Sequence, residues 1–180
     1  MGRQPVTTRE CGQCKLCCKV LPVPEIDKLS NVWCQHAKGA GCAIYSTRPR
    51  GCRTWSCFWL TDATEKFPDL RRPDKAHYVI DEGADIVKVD GKQIGVAQIW
   101  ADPGYQAAWR SDEALQRFIR ILAENGSGTL IRRGADSAVL ILDPPLAPER
   151  VEIAVGYTKG PTSDEDKAAF FGEANMLRRQ

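Results

Sequence analysis

The pattern of hydrophobic and polar positions changes near residue 75, and the part of the chain that follows has the character of β-strands. Its short segments are rich in apolar and β-branched residues and are separated by polar or turn-forming ones. The predicted strands are 78–81, 86–90, 93–100, 129–133, 138–142 and 151–155. Asp90-Gly91 lies between two of them and is a favourable hairpin turn, so the pattern predicts a largely antiparallel sheet.

Two helices are predicted in the same part of the chain. Ser111 is a suitable N-cap for an amphipathic helix, and Asn125-Gly126 is a suitable end for it. The apolar face of this helix consists of Leu115, Phe118, Ile119 and Leu122. A second helix is predicted after Ser163, where 163–166 is a variant of the capping box. Its apolar side consists of Phe170, Phe171, Ala174 and Leu177.

Residues 11–60 have a different composition, dominated by turns, short helical pieces and Gly or Pro. Such a segment contains too few aliphatic residues to form a core of its own. Bonds to a ligand must therefore hold it together, as they do in small zinc domains.

These differences predict two unequal parts in a chain of 180 residues. The first is a cysteine-rich, metal-stapled module at residues 1–62, and the second is a domain at residues 75–180, with a polar link at 62–74. The predicted fold class is α+β, in which the small module is joined to a mainly antiparallel sheet with one or two packed helices.

The two parts also differ in charge. Residues 1–60 contain nine Lys/Arg against three Asp/Glu, whereas residues 61–180 contain 16 against 20. A basic face is typical of nucleic-acid binding, but thiolates that bind metal are anionic and need cations nearby. Because the thiolates account for the basic charge, the composition disfavours a nucleic-acid partner.

No targeting or membrane segment is expected. The first residues lack the apolar run of a secretory signal, and no stretch approaches the roughly 18 apolar residues of a membrane span. We therefore expect a cytoplasmic protein without a membrane partner. In a reducing cytosol, densely spaced cysteines are more often metal ligands than disulfides.

All of the cysteines lie within 47 residues of the N-terminal part. The eight predicted metal ligands are Cys11, Cys14, Cys17, Cys18, Cys34, Cys42, Cys52 and Cys57. The first four form a C-x2-C-x2-C-C run, and an x2 spacing lets two thiolates converge on one tetrahedral ion. Eight cysteines are twice what one four-coordinate ion uses, so more than one ion is expected, either in two sites or in a polynuclear centre.

The division of the ligands between ions stays open. One of Cys17 and Cys18 would complete a site with Cys11 and Cys14, and its neighbour would reach towards the four later cysteines. His36 lies two residues after Cys34 and is either an additional ligand or a structural residue. Two alternatives involve no metal. In the first, one or two of the cysteines are buried packing residues. In the second, the cysteines form a disulfide scaffold, although adjacent cysteines make strained disulfide partners.

The order and spacing of these motifs resemble the bacterial CxxCxxCC, or YkgJ-like, cysteine cluster family, whose members are described as zinc- or iron-chelating domains. The matching residues are Cys11-x2-Cys14-x2-Cys17-Cys18, Gly41-Cys42-Ala43-Ile44-Tyr45, Arg48-Pro49-x2-Cys52-Arg53 and Cys57. The resemblance covers about residues 11–60 and implies that these cysteines chelate zinc or iron, including iron in an iron–sulfur centre. It implies nothing about residues 61–180.

Other residues of the module are candidates for support of the site. Arg48, Arg50 and Arg53 either neutralise thiolate charge or form a solvated basic face. The aromatic residues either shield the site from water or pack the joint between the two parts, and packing is the favoured reading. These residues are Trp33, Trp55, Phe58 and Trp59.

The leading functional hypothesis is a metal-binding protein with a structural or metal-handling role, whose C-terminal domain offers a surface to a protein partner. The alternative is an iron–sulfur oxidoreductase or electron-transfer protein, because thiolate sites accept zinc and iron–sulfur alike. A zinc-stabilised nucleic-acid module is a third, weaker reading. The chain contains no phosphate-binding loop, G-x-S-x-G or H-E-x-x-H motif, so nothing indicates a hydrolase or a nucleotide-driven enzyme.

Overall fold

The computed structural model describes residues 9–62, 66–132, 138–142 and 151–154. Within these residues the helices are α1 (Cys17–Val20), α2 (Arg50–Thr54), α3 (Phe58–Thr61), α4 (Pro73–Ala76), α5 (Ala108–Ser111) and α6 (Glu113–Glu124). The strands are β1 (Ala37–Lys38), β2 (Gly41–Cys42), β3 (Tyr78–Val89), β4 (Lys92–Ala101), β5 (Gly128–Arg132), β6 (Ala138–Ile141) and β7 (Val151–Ala154). The predicted α+β class is confirmed.

The larger sheet has five described strands in the order β6-β5-β4-β3-β7. β3 and β4 form the predicted hairpin, in which Asp90 and Gly91 both have positive φ, as a tight hairpin turn requires. β5 pairs with β4 in parallel, while the other described pairings are antiparallel. A parallel pair needs a crossover connection, and here α5 and α6 supply it, so the sheet is mixed.

The predicted strands 78–81 and 86–90 are one strand in the structure. β3 pairs with β4 along its whole length, with a register shift between Asp81 and Asp85. The interval contains Gly83, and a glycine inside a strand pattern often marks a bulge. The irregularity inside this single strand was therefore interpreted from the sequence as a break between two strands.

The long helix α6 begins one residue later than predicted. Its N-cap is Asp112, whose carboxylate accepts a hydrogen bond from Leu115 N at 3.2 Å. Ser111, the predicted cap, instead ends α5, and its hydroxyl donates to Ala108 O at 3.4 Å. The apolar face is the predicted one, because Leu115, Phe118 and Ile119 are buried. The second predicted helix, after Ser163, lies outside the described residues.

Alternate residues of the hairpin point to two different apolar clusters. Tyr78 and Ile80 share a cluster with α6, whereas Val79 lies in another cluster with Trp100 of β4. The second cluster, here called the docking cluster, also contains residues from the N-terminal part. Its buried members are Leu16, Val20, Cys57, Val79 and Trp100. Since neighbouring strand residues face opposite sides, α6 and α1 cover opposite faces of the sheet, while Phe58 of α3 packs on the α6 side.

The cysteine-rich segment, residues 9–62, consists of turns and short elements as predicted. Its apolar residues pack against the sheet because they are too few to form a separate core. An ion pair of 2.6 Å between Lys19 Nζ and Asp102 Oδ1 also joins α1 to the end of β4. Phe67 and Leu70, within the predicted link, are buried against α6. No helix in the described ranges is long and apolar enough to cross a membrane.

Candidate metal centre

The C-x2-C-x2-C-C run forms a turn followed by the short helix α1. Cys14 N donates to Cys11 O at 2.9 Å, which closes the turn between the first two cysteines. Gly12 has a φ of +51° in this turn, and a Cβ there would lie 3.3 Å from an Arg72 guanidinium nitrogen. Cys17 and Cys18 then begin α1, so the turn between the first two cysteines leads directly into a short helix.

Cys57 lies at the start of α3 and is buried in the docking cluster, with 8% of its surface exposed. Cys14 and Cys17 pack against the same cluster. Leu60 N donates to Cys57 O at 2.9 Å, which holds the first turn of α3 against this position. Three predicted ligands therefore meet on the face of the sheet opposite α6.

The later cysteines reach α1 through backbone contacts. Cys34 N donates to Cys18 O at 2.9 Å, and Ala37 N donates to Cys34 O at 3.0 Å. Ala37 pairs with Cys42 in the small β1–β2 hairpin, so Cys42 is held near Cys34. These contacts hold the backbone at Cys34 and Cys42 close to the backbone at Cys18.

Cys52 lies in α2, which a carboxylate attaches to the rest of the segment. Glu25 Oε1 accepts a hydrogen bond from Gly51 N at 2.8 Å. Burial raises the pKa of Cys52, and the negative charges of Cys18, Glu25, Cys34 and Cys42 act in the same direction. Cys52 therefore joins the cysteines around Cys18.

The thiols differ in how readily they ionise. Hydrogen bonding with the Cys17 thiol lowers the pKa of Cys18 to about 6, against the effect of burial, and the same contact raises the pKa of Cys17. Burial raises the pKa of Cys57 to about 11. Burial also raises the pKa values of Cys11, Cys14 and Cys52. Because thiolates are the metal-binding form, a metal ion must displace protons from most of these thiols.

The buried residue Lys28 is a cation that the sequence interpretation missed. Its side chain donates to the carbonyl oxygens of Lys19, Leu21 and Leu29. Burial lowers the pKa of Lys28, and four cysteines act in the opposite direction because they favour its charged form. Those cysteines are Cys34, Cys18, Cys17 and Cys52. No local sequence signal marks this lysine, since its burial depends on how the loop after α1 folds back.

The other cations near the sulfurs are Lys15, Arg48 and Arg72. Lys15 and Arg48 favour the Cys18 thiolate, and Arg48 and Arg72 favour the Cys11 thiolate. Of the three predicted arginines, Arg48 is thus close to the cluster, while Arg50 and Arg53 are exposed. The basic charge of this segment is therefore concentrated only partly at the cysteines.

The predicted aromatic residues are divided between packing and solvent. Trp55 and Trp59 pack against the docking cluster, and Phe58 lies in the core beside α6. Trp33 is 53% exposed, with the Lys19 ammonium 5.8 Å from its ring centroid. His36 is half-buried, and its carbonyl oxygen accepts from Ala43 N at 2.8 Å. The packing role that the sequence analysis favoured thus applies to Trp55, Phe58 and Trp59.

All eight cysteines are free thiols in the structure. Within the described ranges, no group of three or more His, Cys, Asp or Glu side chains is placed so that it could hold a metal ion. The fold thus brings cysteines from separate segments towards α1, but no three of them converge on one point. Metal binding, its cofactor and its ligand set stay predictions from the sequence.

Comparison with protein-family models, with curated proteins and with solved structures finds no match to this chain. No family is assigned, and the resemblance to the cysteine cluster family stays a prediction.

Proposed function

We propose that this chain is a metal-binding protein that chelates zinc or iron through its eight cysteines, in a structural or metal-handling role. The observation that supports the proposal is the gathering of cysteines from separate segments around α1. Cys34 reaches Cys18 through the backbone, and Cys57 reaches Cys17 through the docking cluster. Unlinked thiols that share one region and have no disulfide partners are typical of metal ligands.

The surroundings of the thiols support the same proposal. Ionised thiolates on a divalent ion leave net negative charge, which costs free energy unless cations lie close. Lys28, Lys15 and Arg48 each favour the Cys18 thiolate. A buried lysine that only packed a hydrophobic core would be costly, whereas beside a thiolate–metal site its charge is stabilising.

The alternative is an iron–sulfur oxidoreductase or electron-transfer protein. The observation that favours it is the apolar cover of one side of the cluster, where Trp55 and Trp100 pack with Cys14 and Cys17. Exclusion of water is one of the features that set the reduction potential of an iron–sulfur centre. The same packing would stabilise a structural zinc site, so the metal itself distinguishes the two functions.

The test is metal content after purification without oxygen. We expect at least one zinc or iron per chain by elemental analysis, retained through desalting. The double substitution Cys14→Ala and Cys42→Ala should lose most of this metal. Ser46→Ala with Ser56→Ala, at exposed positions of the same segment, is the matched control and should retain it.

Brown colour together with acid-labile sulfide would favour the iron–sulfur alternative, and colourless protein with zinc would favour the leading proposal. Wild-type protein that binds neither metal, even after anaerobic reconstitution, would refute both.

A further inference from the structure

We propose that a cleft on the outer surface of α5 and α6 binds the phosphoryl group of a small molecule. The cleft has a volume of about 360 Å³, which lies within the range of small-molecule sites in proteins. Its lining combines three arginines with three other polar residues: Arg110, Ser111, Glu113, Gln116, Arg117 and Arg120. None of the cysteines lines this cleft, so the proposal does not depend on metal binding.

The side of the cleft that α6 forms follows from the helical repeat. Glu113, Gln116, Arg117 and Arg120 are separated by three or four residues at each step, so their side chains lie along one face of the helix. The buried residues of α6 occupy the opposite face, which packs on the sheet. Arg117 and Arg120 are exposed. The helix therefore presents two guanidinium groups one turn apart to solvent.

The short helix α5 forms the other side and contributes Arg110. Gln116 Nε2 donates a hydrogen bond of 2.7 Å to Trp109 O, which ties α5 to α6. The Trp109 side chain is buried, and the Arg110 guanidinium lies 5.3 Å from the centroid of its ring. A cation held over an aromatic ring loses part of its conformational freedom before any ligand arrives. Arg110 is thus partly preorganised at the cleft.

Arg117 is also held in place, whereas Arg120 is not. Arg117 Nη1 donates to Asp69 Oδ2 at 2.9 Å, and its guanidinium lies 5.7 Å from the centroid of the Phe67 ring. Among the residues that the structure describes, the Arg120 side chain forms no hydrogen bond or ion pair. The cleft therefore contains two restrained cations and a third that can bond to a ligand.

The charges in the lining do not balance. Three guanidiniums against the one carboxylate of Glu113 give +2, or +1 when Asp69 is counted with Arg117. This surplus is local, because residues 61–180 contain 16 Lys/Arg against 20 Asp/Glu. A cleft with an excess of one sign of charge attracts ligands of the opposite sign. The ligand chemistry that fits is an anion.

The type of cation indicates which anion. A guanidinium is a planar fork of donors that matches the oxygens of a carboxylate or a phosphoryl group. A phosphoryl group has three free oxygens and a charge of about −1.5 to −2 at neutral pH, whereas a carboxylate has two oxygens and a single charge. Three arginines around one cleft therefore favour the phosphoryl group.

The test is an NMR titration of the full chain under reducing conditions and at constant ionic strength. The probe is inorganic phosphate, and the backbone amide signals report both the place of binding and the fold of each protein. Glycerol phosphate, acetate and a single-stranded oligonucleotide are titrated in the same way. Wild-type protein is compared with the double substitution Arg110→Gln and Arg120→Gln. Arg53→Gln, at an exposed position on α2, is the matched control.

We expect phosphate and glycerol phosphate to cause saturable shifts in the amides of α5 and α6. The double variant should bind them about 10-fold more weakly or worse, because two charge-assisted contacts are lost. The control should bind like wild type. Shifts that do not saturate, or equal affinity in the double variant, would overturn the site. Equal binding of acetate would overturn the phosphoryl assignment, and tighter binding of the oligonucleotide would replace the small molecule with a nucleic acid.

Discussion

Lys28 shows how a single residue links the fold to the candidate centre. Its ammonium binds carbonyl oxygens at the end of α1 and in the loop after it. These contacts satisfy its hydrogen bonds but leave its charge in a buried position, with 8% of the residue exposed. The sulfurs of Cys18 and Cys34 are the groups that can offset this charge once they ionise.

Replacement of Lys28 by Met should weaken metal retention by about 10-fold or more, the usual effect of losing a residue that supports metal ligands. Methionine keeps most of the side-chain volume, so the change removes mainly charge and hydrogen bonds. The measurement is the zinc affinity by competition with a chromophoric chelator. Lys38→Met, at an exposed position on β1, is the matched control and should bind like wild type. Equal affinities in the two variants would contradict a role for the Lys28 charge.

The cysteine spacing was sufficient to predict the candidate ligands, but not the residues around them. Spacing is a local property, and the C-x2-C turn follows from it directly. The burial of Lys28 depends on the loop between Pro24 and Leu29, where Asp27 adopts a positive φ that local composition does not indicate. Likewise, only the packing of Val79 and Trp100 against α1 reveals that Cys57 lies beside Cys17.

At the scale of elements, the start of α6 combines a cap with an ion pair. Asp112 accepts from Leu115 N, and its other carboxylate oxygen lies 2.9 Å from Arg71 Nη2. Burial on its own would raise the pKa of Asp112. The hydrogen bonds from Arg71 and Leu115 N outweigh burial and lower this pKa. The ionised form is thus the one that stabilises the helix.

Replacement of Asp112 by Ala should lower the free energy of unfolding by about 1–2 kcal/mol at neutral pH, as loss of an N-cap does. Because the folded pKa is lowered, this contribution is complete above the unfolded value of about 3.9 and disappears as the pH falls through the folded value. Both proteins are unfolded with urea in the presence of chelator at pH 7 and at pH 3. The difference between their free energies of unfolding should be smaller at pH 3. Glu113→Ala, on the exposed first turn, should be nearly neutral. A difference in unfolding free energy that is the same at both pH values would refute the role of the ionised carboxylate.

The strands could be predicted because their hydrophobic pattern is a local property. The connections between the strands could not be predicted in this way. Alternation and the Asp90-Gly91 turn indicated the β3–β4 hairpin directly. The parallel pairing of β4 with β5 depends on α5 and α6 packing across the sheet, which no segment specifies alone. The choice of Asp112 over Ser111 as cap has the same origin, since both residue types suit the position and the partner Arg71 comes from a distant segment.

At the scale of the whole molecule, the two faces of the sheet differ in the amount of apolar packing that covers them. α6 and several aromatic residues form one core, in which Phe58, Phe67 and Phe118 contact each other with ring centroids 4.9–5.8 Å apart. The opposite face holds α1 and its neighbours through the few residues of the docking cluster, while Phe58 anchors the end of the cysteine-rich segment in the first core. The segment has little apolar burial of its own with which to offset about 1–2 kcal/mol of backbone entropy per residue.

Removal of metal should therefore loosen the cysteine-rich segment before the sheet. With strong chelator and reductant, we expect limited proteolysis to cut within residues 11–57 while a fragment containing 78–132 persists. Restored protection on addition of Zn²⁺ is the control for damage by the chelator. Unchanged protection of 11–57 in metal-free protein would show that the cysteines do not hold the segment together.

The position of the docking cluster along the chain also has a consequence for biosynthesis. Cys57 is the last thiol to be translated, and Trp100, which helps to bury it, follows 43 residues later. At about 5–20 residues per second, this interval lasts roughly 2–9 s on the ribosome. All eight thiols thus leave the ribosome's catalytic centre before the strand surface that covers them is made. Early capture of a metal ion, or a reducing environment, must keep the nascent cysteines from oxidising during that time.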